Sequence, residues 1–189
     1  MRKLILIPAV AALGLLQGCE PVLVGTAIGT TAVMATDRRT TGIFVEDQNI
    51  EVKAALRINE RFRDQIHVNA TSFNRVVLLT GEAPSEALRE EIGRVVWGVE
   101  SVRNVVNEIQ IGPPSSYGAR SSDSYITSKV KARLLDNKIV SPNYVKVVTE
   151  AGTVYLMGMV TRKEAEEAAA VASTTSDVKK VVKVFEYMD

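Results

Sequence analysis

A chain of 189 residues, 46% hydrophobic and 24% charged, has enough apolar material to bury a core. Its formal net charge of +1 leaves no global basic field to attract nucleic acid, so electrostatic binding must come from a local cluster. One cysteine excludes an intramolecular disulfide and any thiolate metal cluster built within one chain.

At the N-terminus, Arg2 and Lys3 precede an apolar run from Leu4 to Leu16 that only Pro8 and Gly14 interrupt. The run falls short of the roughly 20 residues that span a bilayer. Residues 1–18 therefore read as a removed secretory signal. The tetrapeptide Leu16-Gln17-Gly18-Cys19 resembles the bacterial lipobox, in which a small residue precedes the cut and the cysteine sulfur carries diacylglycerol. A buried structural cysteine is the competing reading, and it leaves the leader unexplained. Diacylglycerol and an N-acyl chain on Cys19 are the only bound groups expected, and at about 0.8 kcal/mol per buried methylene they anchor the chain without a transmembrane helix. Glu20 does not by itself assign inner or outer membrane.

Residues 19–46 read as the acylated N-terminus and a tether, rich in Gly, Ala, Thr and Val as in Val24-Gly25-Thr26-Ala27. A flexible chain of this length reaches about 25 to 30 Å, enough to hold a domain off the headgroups. Arg38 and Arg39 are then solvated tether residues, with headgroup contact as the alternative.

From Asp47 a pattern runs to Ile111 and returns from Asp123, offset by about 76 residues with one single-residue shift. Asp47-Gln48-Asn49-Ile50 answers Asp123-Ser124-Tyr125-Ile126; Lys53 and Arg57 answer Lys129 and Arg133; Leu79-Thr80-Gly81 answers Leu156-Met157-Gly158. Ile50, Ala54, Ile58 and Phe62, like Ile126, Val130 and Leu134, recur every four residues on one helical face. The Asp opening each copy is expected to be the N-cap. Val68, Ala70 and Ser72, and likewise Val145, Val147 and Thr149, alternate as a strand that turns at Asn74-Arg75 or Ala151-Gly152 into a second strand. That second strand closes on Gly81 or Gly158, where glycine implies close backbone packing or a bend. A helix capped by Ser85, or by Thr161 with Glu164 three residues on, precedes a valine-rich last strand. Gly112-Pro113-Pro114-Ser115-Ser116-Tyr117-Gly118 breaks both periods as a linker. The expected class is α+β: two tandem αββαβ modules, each a three-stranded sheet covered by two helices, over 47–111 and 123–189 with a linker at 112–122.

The Asp-x-x-Ile helix start, the strand closing on glycine and the valine-rich last strand, present in both copies, resemble the BON domain family of bacterial osmotically induced and nodulation proteins. With a lipobox in front, the chain is similar to its two-domain outer-membrane lipoproteins, a likeness extending to Ala35-Thr36-Asp37-Arg38-Arg39. The resemblance implies a non-enzymatic, periplasm-facing protein that binds anionic phospholipid surfaces such as phosphatidylglycerol or cardiolipin and supports outer-membrane integrity. Tyr125 stands where such proteins can carry Trp, which keeps an interfacial aromatic.

Catalytic chemistry finds little support. The lone histidine, His67, heads a strand with no pattern marking a partner base, and no His, Cys or carboxylate group shows metal-ligand spacing. Trp97, before Gly98 at a helix end, reads as core or inter-domain packing rather than a ligand platform. The helix after Asp123 carries Lys129, Lys131 and Arg133 with no acid before Asp136, and Lys138 extends the basic run. With Tyr125 and Ile126 set for shallow burial, this helix is the candidate lipid-contact face, each cation contributing on the order of 1 kcal/mol near an anionic bilayer. A solvated charged face is the competing reading, and a scaffold docking on envelope-assembly machinery is the rival function.

Overall fold

A computed structural model describes residues 37–189; the leader, Cys19 and most of the tether lie outside the described residues. In chain order the first copy contains α1 (Thr41–Phe62), β1 (His67–Phe73), β2 (Val76–Ala83), α2 (Glu86–Trp97), β3 (Asn104–Asn107) and β4 (Gln110–Ile111). The second contains α3 (Tyr117–Leu135), β5 (Val145–Glu150), β6 (Thr153–Val160), α4 (Arg162–Ser173) and β7 (Lys180–Tyr187). The αββαβ order holds in both.

In each copy the central strand pairs antiparallel with the strand before it and parallel with the strand after the second helix. The last strand of the first copy is split into β3 and β4, both beside β2, whereas β7 runs unbroken along β6. At the split, Ile109 turns into the core, only 2% exposed. The helices of the first copy cover one sheet face over Ile50, Ala54, Ile58, Val77, Leu79 and Ile92. Those of the second bury Ile126, Val130, Leu134, Val154 and Leu156, with the small Ala165, Ala168 and Ala172 letting α4 lie close.

The helices begin earlier than the Asp pair suggests. Thr40 and Ser116 are the N-caps, accepting from the amides of Ile43 and Ala119. Asp47 and Asp123 lie buried inside α1 and α3, and their carboxylates hold the hairpin turns. Asp47 accepts from the amides of Asn74 and Arg75 at 2.8 and 2.7 Å and from Ser72 Oγ at 2.6 Å. Asp123 accepts from the amides of Ala151 and Gly152 at 2.9 and 2.8 Å. All four turn residues have positive φ, the geometry of a two-residue hairpin loop whose amides point away from the ladder. A helix-borne carboxylate supplies the missing acceptor. Ser85, and Thr161 with Glu164 as a capping box, do open α2 and α4.

The glycines ending the central strands meet a neighbouring backbone. A Cβ at Gly81, itself at φ +115°, would lie 2.0 Å from the His67 carbonyl oxygen, and one at Gly158 2.2 Å from that of Tyr144.

The two sheets also pack on each other through the faces the helices leave open. Phe73 and Leu78 meet Tyr155 and Met157 in a third apolar cluster, with Val106, Val148 and Val182 at its edge. Of the polar residues that alternate along β1 and β5, Glu150 is thus buried toward the sister sheet, while Asn69 keeps contact with solvent.

Candidate functional site

The rim of this inter-sheet cluster is ionic. Arg38 donates to both Glu164 oxygens at 2.7 Å and to the Met159 carbonyl at 2.9 Å, while its guanidinium lies 3.8 Å from the centre of the Tyr144 ring. Hydrogen bonding from Arg38, with help from Thr161, holds the Glu164 carboxyl down to about 2. Arg39 bridges Asp37 and Asp47 over the Phe73 ring. Lys146 reaches back to Glu51 at 2.6 Å, and Arg103 to Glu186 at 2.5 Å, which lowers the Glu186 carboxyl through that hydrogen bond. Arg38 and Arg39 are therefore not solvated tether residues; they are joints of the folded body.

At one end of the same interface three potential ligands converge. His67 and Glu82 are directly opposed across the β1–β2 ladder, with Nδ1 to Oε2 at 3.1 Å. Glu150 approaches from β5, and ligand atoms of all three lie within 4.8 Å of one another. Burial pushes the Glu150 carboxyl up, and its hydrogen-bond donor is Asn69 at 3.4 Å. These residues, 15 and 68 apart, show no metal-ligand spacing in the sequence, and they meet only because the sheets stack face to face.

The proposed lipid helix is α3. Ile126 is 3% exposed in the core of the second copy, so it does not reach a headgroup; the four-residue period that makes it helical also turns it inward. Lys129 is not free of carboxylates. Its ammonium pairs with Asp177 at 2.5 Å and donates to the Ser176 carbonyl at 2.8 Å, an acid that arrives from the loop after α4. Arg133 donates to the Val171 carbonyl and to the hydroxyls of Thr174 and Thr175, closing the end of α4 without neutralising its own charge. Lys131 and Lys138 are exposed and form no ion pair among the described residues. Tyr125 is 65% exposed with the Lys129 ammonium 4.8 Å from its ring centre. At about 100° per residue, Tyr125, Ser128, Ala132 and Leu135 share the outward face opposite Ile126, Val130 and Leu134. Leu135, 68% exposed, and Ile139 just beyond the helix are the residues that the amphipathic reading missed. Their signal was an apolar doublet, Leu134-Leu135, of which α3 buries only Leu134.

Trp97 is 56% exposed beyond the α2 core rather than packed within it, and Gly98 caps the helix. Among the described residues no helix is long and apolar enough to cross a membrane.

The family model for the BON domain matches this chain twice, over residues 46–113 and 122–189. A protein described as outer membrane lipoprotein DolP from Haemophilus influenzae is 39% identical over 92% of this chain and 91% of its own length. A 21 kDa hemolysin of Actinobacillus pleuropneumoniae is 35% identical over 80% of this chain and 79% of its own. Osmotically-inducible protein Y of Escherichia coli is 32% identical over 74% of this chain and 72% of its own.

Proposed function

Because the chain belongs to the BON domain family, we propose that it is a non-enzymatic lipid-surface module, held at the outer membrane by acylated Cys19 and contacting anionic phospholipid through the outward face of α3. It is an outer-membrane lipoprotein of that family, facing the periplasm. Phosphatidylglycerol and cardiolipin are the fitting headgroups, and the surface so bound is where the protein supports envelope integrity.

The observation that carries the reading is the make-up of that face. Tyr125 and Leu135 stand out from it as exposed apolar side chains, and Lys131, with Lys138 just beyond the helix, brings cations that no carboxylate neutralises among the described residues, while Arg133 is turned onto the end of α4. An aromatic ring and a leucine can enter the headgroup layer while lysines meet phosphate, and the attraction weakens as salt rises. Lys129, already paired with Asp177, contributes through Tyr125 and the fold more than through charge.

The test is sedimentation of the chain lacking its lipidated N-terminus with phosphatidylglycerol or phosphatidylcholine vesicles. The native protein pellets with the anionic ones at low salt. Replacing Lys131 and Lys138 by Glu lowers that affinity about tenfold or more, on the order of 1 kcal/mol per cation. Equal pelleting of both proteins would reject the face.

A second reading, docking on an envelope-assembly protein, is favoured by α1. Its Val45, Val52 and Leu56, each about half exposed, form an apolar stripe seven and four residues apart. If that stripe binds, substitutions there and not on α3 remove function.

A further inference from the structure

We propose that His67, Glu82 and Glu150 form a divalent transition-metal site, of the zinc class, that ties the first BON module to the second. The inference goes beyond lipid binding and does not rest on it.

The donor set is one imidazole and two carboxylates from three strands. His67 and Glu82 come from β1 and β2 of the first copy and Glu150 from β5 of the second. Three protein ligands with a remaining position for water is a common zinc arrangement, and bonds of about 2.0 to 2.2 Å in a tetrahedron place ligand atoms roughly 3.3 Å apart. His67 Nδ1 and Glu82 Oε2 are already 3.1 Å apart, and the whole set lies within 4.8 Å, a spread that side-chain rotation closes. Imidazole among the ligands selects against magnesium and calcium, which take oxygen.

The charges around the cluster also call for a cation. Glu82 and Glu150 are 7% and 4% exposed and face each other across the interface, with no lysine or arginine bonded to either among the described residues. Among the described residues, the Glu150 carboxylate has a single long hydrogen bond, from Asn69. Asp123, close by, is occupied by turn amides, and Arg120, which lines a cleft beside the cluster, is turned onto Ser115, whose oxygens accept from Nε and Nη2.

The outer layer of a metal site is present as well. The Ser115 amide donates to Glu82 Oε2 at 3.0 Å, so that carboxylate is oriented by a neighbour. A cleft of about 260 Å³ lined by His67, Asn69, Arg120, Ser124 and Glu150 opens beside the cluster and gives an ion its entry path. An ion held here would lock the two sheets in their docked arrangement.

The experiment uses the full acylated chain in detergent micelles, stripped with a chelator and titrated with zinc, and with cobalt for its absorption. One zinc per chain is expected. His67→Ala and the isosteric Glu150→Gln weaken it at least about tenfold, while Glu90→Gln, at an exposed position of α2, leaves it unchanged. Because His67 is the only histidine, its imidazole resonances report independently of any variant: zinc shifts them and cobalt broadens them. Imidazole signals unmoved at saturating zinc, or equal affinity of the native chain and Glu150→Gln, would overturn the assignment.

Discussion

The first helices of the two modules occupy equivalent places, and setting them side by side separates cations that hold the fold from cations left for a partner. Lys53 on α1 pairs with Glu100 and Arg57 donates to the Gly98 carbonyl, both just past α2. Their counterparts on α3 do the same: Lys129 pairs with Asp177 and Arg133 donates to the Val171 carbonyl at the end of α4. What repeats is therefore architectural. What does not repeat is Tyr125, Lys131 and Leu135, which stand where α1 has Asn49, Ala55 and Asn59, while Val45, Val52 and Leu56 of α1 stand where α3 has Ser121, Ser128 and Ala132. One ancestral frame carries two different outward faces.

The largest effect that can break the comparison is on the repeated core. Asp47→Ala removes a buried carboxylate that serves two amides, a hydroxyl and Arg39, and is expected to cost about 3 to 5 kcal/mol in urea unfolding. Asp123→Ala strands only two amides and is expected to cost about 1 to 3 kcal/mol. Equal costs would mean that the second module has a support not seen here.

A smaller effect sharpens the functional difference. Placing the first copy's residues on α3, as Tyr125→Asn, Lys131→Ala and Leu135→Asn together, lowers anionic-vesicle affinity about tenfold without lowering stability, since all three side chains point outward. Substituting Val52 and Leu56 by Ser and Ala leaves vesicle affinity unchanged.

The smallest effect concerns pH. The Glu164 carboxyl is depressed to about 2, so its pairing with Arg38 stabilises the fold fully above the ordinary carboxylate range and loses that contribution as pH falls toward 2. Arg38→Ala should lower the melting temperature most above about pH 5, the gap from the native chain narrowing as acid titrates the carboxyl.

Much of the frame was legible because local rules repeat. The four-residue period, the turn pairs, the strand-ending glycines and the Thr161–Glu164 box each act within a few residues of sequence. The interface was not, although Val76-Val77-Leu78-Leu79 and Val154-Tyr155-Leu156-Met157 carry its signature. An unbroken apolar run has no solvent face, so those strands are buried on both sides. Asp47 and Asp123 misled as N-caps because their acceptors' work is done for a turn more than 25 residues away, a distance no local pattern reports. The basic run on α3 misled for the same reason: Asp177, which neutralises Lys129, lies 48 residues downstream.

The central claim is that the outward face of α3, and not that of α1, meets the lipid. Amide NMR of the chain on nanodiscs carrying spin-labelled phosphatidylglycerol tests it directly. Selective broadening at Tyr125, Ser128, Ala132 and Leu135, with Val45, Val52 and Leu56 sharp, is the predicted result; broadening confined to the α1 residues would contradict it.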